Sequence, residues 1–397
     1  MQLRPHQQIA LEALEANRRG QVIVPTGGGK TLIAIEDAKR QFTNNRLPKT
    51  IVVVAPRILL ANQLCSEFLE QNLDGHYNQG IDVIHVHSGE THHQSTTKAD
   101  EIDYLVNNST KNLLLFTTYH SLHRVHESGI DVDTIYFDEA HNSVQRNFFP
   151  SVKFYGTVGA DRCFFFTATP KHSTTPFKAG MNDSDVYGNV ICQVPAPKLV
   201  EQGYILPPKV EVYESRLLDK HELVADKDCE QMIDSIDNIQ KDKVLICAKS
   251  TKKITNLVSQ TDFCVLLRQR GYNWMYITAK TGAVINGKKV DREEFFRVLN
   301  SWGKDDYTKF VVLHHSILSE GINVNGLEAV LFLRSMDYIG ISQTIGRVIR
   351  KGATDKAYGL VCVPVYSKVG ISTARKVEAV VDTIFNKGEA AVSVVNR

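Results

Sequence analysis

The chain has 397 residues, room for two or three domains, each with its own core. Its 43% hydrophobic and 23% charged residues are those of an ordinary globular protein, and a net charge of +2 excludes a global basic field, so any nucleic-acid site has to be a local patch. The seven cysteines are scattered and odd in number, with no C-x-x-C pair. That favours buried thiols in a reducing compartment over a disulfide frame or a zinc site. The N-terminus is polar and charged, without a signal peptide, and no apolar run is long enough to span a bilayer, so a cytoplasmic location and no membrane partner are expected. No internal repeat or low-complexity tract is visible.

Leu3-Arg4-Pro5-His6-Gln7-Gln8 opens the chain before a stretch rich in Ala, Leu and Glu, and Pro5 suits a helix start. The Gln7 amide has the donor and acceptor that match the edge of adenine, so Arg4 and Gln7 are candidate nucleotide contacts; a plain N-terminal cap is the alternative. Gln21-Val22-Ile23-Val24 reads as a buried strand and Leu32-Ile33-Ala34-Ile35 as the start of a helix. Between them lies Pro25-Thr26-Gly27-Gly28-Gly29-Lys30-Thr31, in the strand–turn–helix context that a phosphate-binding loop needs. Gly27, Gly28 and Gly29 let backbone N–H groups curl around an anion, and the helix N-terminus adds partial positive charge. Lys30 can reach the β- and γ-phosphates of a nucleotide, and the Thr31 hydroxyl can hold Mg²⁺. Val24 stands where the general pattern has a further glycine.

Ile51–Ala55, Ile81–Val86 and Leu113–Thr118 read as further buried strands separated by helical stretches, which argues a parallel α/β sheet. In such a sheet ligands sit at the carboxyl ends of strands, where Pro56, Arg57, Thr117 and Thr118 fall. Asp133–Phe137 is another strand and ends in Asp138-Glu139-Ala140-His141. Beside a P-loop, Asp138 can hold Mg²⁺ with Thr31, while Glu139 orients and deprotonates an attacking water. Arg162–Phe166 leads into Thr167-Ala168-Thr169-Pro170, whose hydroxyls can link the nucleotide site to whatever is bound on the sheet rim. His120, His123 and His126 have helical spacing but match no zinc pattern, and His92-His93 and His314-His315 are no better metal candidates.

P-T-G-G-G-K-T, then D-E-A-H, then T-A-T, in that order, resembles a superfamily 2 helicase or translocase with a DEAH box. The distance of about a hundred residues from Lys30 to Asp138 suits one P-loop domain. Residues 171–207 read as a connector, and Lys198–Pro207 is similar to the inter-domain segment of the restriction-motor, XPB and phage UvsW-like branch. A second α/β pattern follows, with strands at Val244–Ala248, Trp274–Thr278, Phe310–His314, Ala329–Leu333 and Tyr358–Val363, then a closing helix from Ser372 to Asn386. This half has no P-loop. It carries Gln343, Arg347 and Arg350 at spacings of four and three, which one helical face would present together, and two cations without an interleaved acid suit phosphate.

The resemblance implies two tandem RecA-like α/β domains, each a mainly parallel sheet flanked by helices, with an ATP cleft between them. The expected division is 1–207 and 208–366, with a helical tail over 367–397. The cofactors implied are ATP and Mg²⁺. Arg350 is implied as the arginine finger, with Arg347 near the γ-phosphate and Gln343 beside the water. Nucleic-acid contacts carried over are Pro56, Arg57, Gln63, Thr117, Thr118, Lys249, Ser250 and Gly321, the last also near the nucleotide with Asn323, which stands where many relatives have Asp. The implied activity is ATP-driven unwinding or remodelling of nucleic acid, DNA favoured over RNA, by a monomer binding mainly through the backbone. An RNA helicase, the motor of a restriction complex and a non-translocating ATP-gated clamp are the other readings.

Overall fold

The computed structural model describes residues 2–44, 47–72, 80–175, 177–214, 218–278, 281–315, 326–333, 336–351, 356–365 and 368–395. Two compact units emerge, Met1–Val194 with Val392–Arg397, and Pro195–Ala391.

The first unit runs α1 (Pro5–Ala16), β1 (Arg19–Ile23), α2 (Lys30–Asn44), β2 (Thr50–Ala55), α3 (Ile58–Asn72), β3 (Ile81–Val86), β4 (Gln94–Ser95), α4 (Ala99–Asn107), β5 (Asn112–Thr118), α5 (Leu122–Ser128), β6 (Thr134–Phe137), α6 (Phe149–Thr157), β7 (Arg162–Thr167), β8 (Lys171–Ser173), α7 (Ser184–Tyr187) and β9 (Val190–Gln193). Eight strands form one sheet in the order β4-β3-β5-β2-β6-β7-β1-β9, and each neighbouring pair is parallel. The central strands are apolar along nearly their whole length because helices cover both faces; every residue of β5 is buried. Val52, Leu115, Tyr119, Phe137 and Phe165 sit in the core on one side. Since the strands share one direction, the segments following β1, β2, β5, β6 and β7 emerge at one edge of the sheet.

Residues 171–194, expected as part of a connector, belong to this unit. β9 pairs with β1, and the buried Gln21 amide donates to the Met181 and Gly188 carbonyls at 2.9 and 3.1 Å. Backbone pairing holds the segment, so a Pro- and Ser-rich composition did not betray it.

The second unit runs α8 (Ala196–Glu201), β10 (Pro208–Glu214), α9 (Val224–Ile239), β11 (Lys243–Ala248), α10 (Thr251–Gln260), α11 (Phe263–Gln269), β12 (Asn273–Thr278), β13 (Gly282–Ile285), β14 (Lys288–Val290), α12 (Arg292–Lys304), β15 (Phe310–His314), β16 (Ala329–Leu333), α13 (Tyr338–Val348), β17 (Gly359–Val365) and α14 (Lys368–Val381). Its sheet has the order β10-β17-β16-β11-β15-β12-β13-β14. The pairs from β10 to β12 are parallel, and β12, β13 and β14 are antiparallel. Asn286 and Gly287 turn the last hairpin with φ of 47° and 86°, the left-handed pair such a turn needs. The closing helix, read as a tail, is α14 and packs on β17 and α13 within this unit. The chain then returns to the first unit as β18 (Ser393–Val395), which pairs in parallel with β8; Ser393 N–H donates to the Pro170 carbonyl at 3.0 Å. No helix is long and apolar enough to cross a membrane among the described residues.

Candidate nucleotide and catalytic site

The loop after β1 is held from outside by the start of α1. Arg4 Nη1 donates to the Gly27 carbonyl at 3.4 Å, His6 Nε2 meets the Gly28 carbonyl at 2.7 Å, and Gln7 Nε2 donates to the Gly29 carbonyl at 3.3 Å. Three successive carbonyls are thus turned towards α1. In a trans peptide the following N–H points the opposite way, so the amides of Gly29 and Lys30 face away from α1, at the N-terminus of α2. Gly27 and Gly29 have φ of 86° and 83°, and a Cβ on Gly29 would lie 2.4 Å from Gln7 Nε2. The cradle therefore needs glycine there and fits a phosphate. Thr26 and Thr31, at its two ends, keep partial exposure.

Gln7 takes the cap role given above as its alternative. It is 2% exposed, and its carbonyl oxygen accepts the Arg4 N–H at 2.9 Å while its nitrogen holds Gly29. The amide thus caps α1 with its oxygen and clamps the loop with its nitrogen. His6, which no sequence signal marks, does the same work on Gly28.

Across the loop, Lys30 Nζ lies 3.9 Å from Glu139 Oε1, with both side chains about one-tenth exposed. Glu139 itself has φ 44° and ψ 53°, a left-handed conformation that costs a non-glycine residue about 1–2 kcal/mol. Strain of this kind at the end of a central strand holds a side chain where relaxed backbone would not put it. Asp138 is partly exposed, and burial of its carboxyl, followed by the negative charge of Glu139, pushes its pKa well above the usual carboxylate range, with Lys30 opposing. Its main chain is fixed by the Val54 carbonyl and by the Tyr119 hydroxyl, which donates to the Asp138 carbonyl at 2.9 Å. His141 Nδ1 is 3.1 Å from Thr167 Oγ1 and 3.5 Å from Glu139 Oε2, and Thr167 Oγ1 also accepts the Thr169 N–H at 3.1 Å. One imidazole therefore joins the carboxylate pair to the Thr-Ala-Thr turn. The donors assembled here (a backbone nest, an ammonium, two carboxylates and the Thr31 hydroxyl) fit a nucleotide triphosphate with a hard divalent cation.

Of the expected nucleic-acid contacts, Arg57 is exposed at the sheet edge, Pro56 is partly so, and Gln63 on α3 donates to Glu67 Oε1 at 2.7 Å. Thr117 and Thr118 are buried. Thr117 Oγ1 donates to the Val86 carbonyl at 3.0 Å, which ties β5 to β3. In the second unit Lys249 is exposed, and Ser250 caps α10 by accepting the Lys253 N–H at 3.4 Å. Gly321 and Asn323 lie outside the described residues.

The Gln343–Arg347–Arg350 face is only partly a helical face. Gln343 and Arg347 are on α13 and buried, but α13 ends at Val348, and Arg350 forms an antiparallel bridge with Ile205. Ile349 makes the last helical bond, its N–H to the Ile345 carbonyl, and Arg350 beyond it pairs with Ile205 instead. Arg347 lies near Cys247 and His314, whose Sγ and Nε2 are 2.8 Å apart. Burial, then the Arg347 charge, pushes His314 down to about 3. Arg350 keeps partial exposure.

Residues 1–172 match the sequence profile of the family described as type III restriction enzyme, res subunit. Among curated proteins none matches. Of solved structures, the ATP-dependent type ISP restriction-modification enzyme LlaBIII, bound to DNA, is similar over 100% of this chain and 31% of its own, at 18% identity and a TM-score of 0.76. S. cerevisiae Dbp5, bound to RNA and ADP BeF3, is similar over 98% of this chain and 89% of its own, at 15% identity and a TM-score of 0.61. A fragment of a putative HsdR subunit of a type I restriction enzyme from Vibrio vulnificus is similar over 98% and 68%, at 14% identity and a TM-score of 0.62. The chain spans about a third of the length of the two type ISP enzymes it resembles. The fold is thus that of two tandem RecA-like helicase domains, with mostly parallel strands flanked by helices.

Proposed function

We propose that this chain is a nucleic-acid-stimulated ATPase of the DEAH-box, superfamily 2 type that translocates on DNA or remodels it. The observation that carries the reading is the clamped loop, whose three carbonyls are drawn towards α1, with Lys30 and Glu139 meeting over it. The backbone nest that presents the Gly29 and Lys30 amides binds the β- and γ-phosphates, and Lys30 exchanges Glu139 for phosphate oxygen. Bound Mg²⁺ would be held by Thr31 and Asp138 and would neutralise charge on the phosphates. Glu139, released from Lys30, takes the proton of the attacking water. Arg350 and Gln343 are assigned to the γ-phosphate and the water, Arg350 ahead of Arg347 because Arg347 is buried beside His314. Arg57, Gln63, Lys249 and Gly321 are assigned to the nucleic-acid backbone, so binding is salt-sensitive and largely independent of sequence. A reading as the motor part of a larger restriction assembly draws on the res-subunit match over residues 1–172.

DNA is favoured because that match and the LlaBIII–DNA likeness point the same way. The test is ATP turnover at fixed salt without effector and with single-stranded, duplex and branched DNA and with single- and double-stranded RNA. Stimulation by DNA and little by RNA supports the proposal. Preference for RNA turns it into an RNA helicase, and equal slow turnover throughout leaves an ATP-gated clamp.

A further inference from the structure

Away from the nucleotide site, three side chains that are far apart in sequence converge in the first unit. Cys65 comes from α3, His85 from β3 and His93 from the segment leading into β4, and one ligand atom of each lies within 4.8 Å of the others. Cys65 and His85 are buried and His93 is exposed, which opens the cluster to solvent on one side. The rings of His85 and His93 are parallel, 3° apart in plane, with centroids at 5.6 Å, and His85 also stacks on Phe116. His85 Nδ1 meets His87 Nε2 at 2.9 Å, whereas His85 Nε2 is buried without a hydrogen-bond partner. An orphaned buried nitrogen of this kind is destabilising unless something takes its lone pair or its proton.

We propose that Cys65, His85 and His93 form a zinc site, with water in the fourth position. One thiolate and two imidazoles are a borderline-soft set that suits Zn²⁺ and disfavours Mg²⁺ or Ca²⁺. Tetrahedral bond lengths place such donors about 3.3–3.6 Å apart, so from separations within 4.8 Å closure takes shifts of no more than about 1.5 Å. Ligation moves the Cys65 proton to solvent. It also engages His85 Nε2; Nδ1–H then donates to His87 Nε2, and His87 carries its own proton on Nδ1 and gives up the Gly89 N–H that it accepts there at 3.3 Å. The ion would tie α3, which carries Gln63, to the β3–β4 segment beside Thr117. The site is assigned from this geometry and does not rest on the proposed motor function.

The test uses the full chain, stripped with a chelator and kept reduced, then titrated with Co²⁺ and separately with Zn²⁺. One Co²⁺ per chain is expected, with thiolate-to-cobalt charge-transfer absorption that Zn²⁺ abolishes by displacement. Cys65→Ser should lose that absorption. His93→Ala, at an exposed position that leaves the core intact, should weaken Zn²⁺ binding by at least about tenfold. Absence of the charge-transfer band in the wild type, its persistence in Cys65→Ser, or unchanged Zn²⁺ affinity in His93→Ala would each overturn the assignment.

Discussion

Replacing Arg162 by Met tests what holds the P-loop helix to the sheet. Asp37, two turns beyond Lys30 on α2, is fully buried. Arg162 at the start of β7 grips it with both terminal nitrogens, at 2.8 and 2.9 Å, and reaches the Leu14 carbonyl of α1 at 3.1 Å. The Tyr136 hydroxyl donates to the same carboxylate, and burial and the Asp37 charge keep that phenol protonated. Arg162→Met would leave a buried carboxylate with one neutral donor, a loss of about 3–5 kcal/mol. At 1.36 kcal/mol per factor of ten, amide exchange of β6 and β7 through global opening of the first unit should accelerate roughly 150- to 5,000-fold. Hydrogen-exchange mass spectrometry is the suitable assay, because both tryptophans, Trp274 and Trp302, are in the second unit and their fluorescence follows that unit. Removing both ends of the pair in Arg162→Met/Asp37→Leu should recover most of the loss. An acceleration below about fivefold in the single variant would refute the view that this pair anchors α2.

Glu139→Gln should keep nucleotide binding while turnover falls by roughly 10²–10⁴, read by single-turnover hydrolysis; lost binding instead would make Glu139 a structural partner of Lys30. Gly29→Ala forces a Cβ at φ +83° onto the Gln7 amide, so about 1–2 kcal/mol of stability and most ATP affinity should go, checked by thermal melting and nucleotide titration. Arg350→Ala should lower turnover on the order of 10³-fold with nucleotide affinity kept, and a change under about threefold would withdraw the finger assignment. The raised pKa of Asp138 means that it takes up a proton as pH falls from neutrality towards the ordinary carboxylate range, so Mg²⁺-dependent nucleotide binding should weaken across that interval. Glu139→Gln removes the neighbouring negative charge and should move that limb to lower pH; an unmoved limb would show that the charge of Glu139 does not set it.

The strands that carry chemistry were legible because they are central. β2, β5, β6, β7, β11, β15 and β16 are largely apolar runs, as strands of a doubly covered parallel sheet are, and Asp138-Glu139 at the end of β6 and the glycine loop at the end of β1 are visible in the sequence. The edges were not. β4 and β8 have two and three residues, too short to show a period. The β13–β14 hairpin was missed although Asn286-Gly287 announces it. Arg350 was put on the helix face because spacing alone does not reveal that α13 stops at Val348. The grip of His6 and Gln7 on the loop was not legible, because their partners there are carbonyls some twenty residues away. Cys65, His85 and His93 meet only once α3 lies across β2 and β5 and β3 pairs beside them, and a rule built on sequence spacing cannot see such a meeting.

The pairing of β18 with β8 makes the second unit an insertion within the first: the polypeptide passes from one to the other at Val194/Pro195 and comes back at Ala391/Val392. A single proteolytic nick at either crossing leaves the two units covalently joined through the other, so separating them takes two cuts. A fragment ending at Val194 also lacks β18 and bares the edge of β8, just after the Thr-Ala-Thr turn. The natural way to isolate the first unit is therefore to excise 195–391 and bridge the gap, which keeps both of its ends.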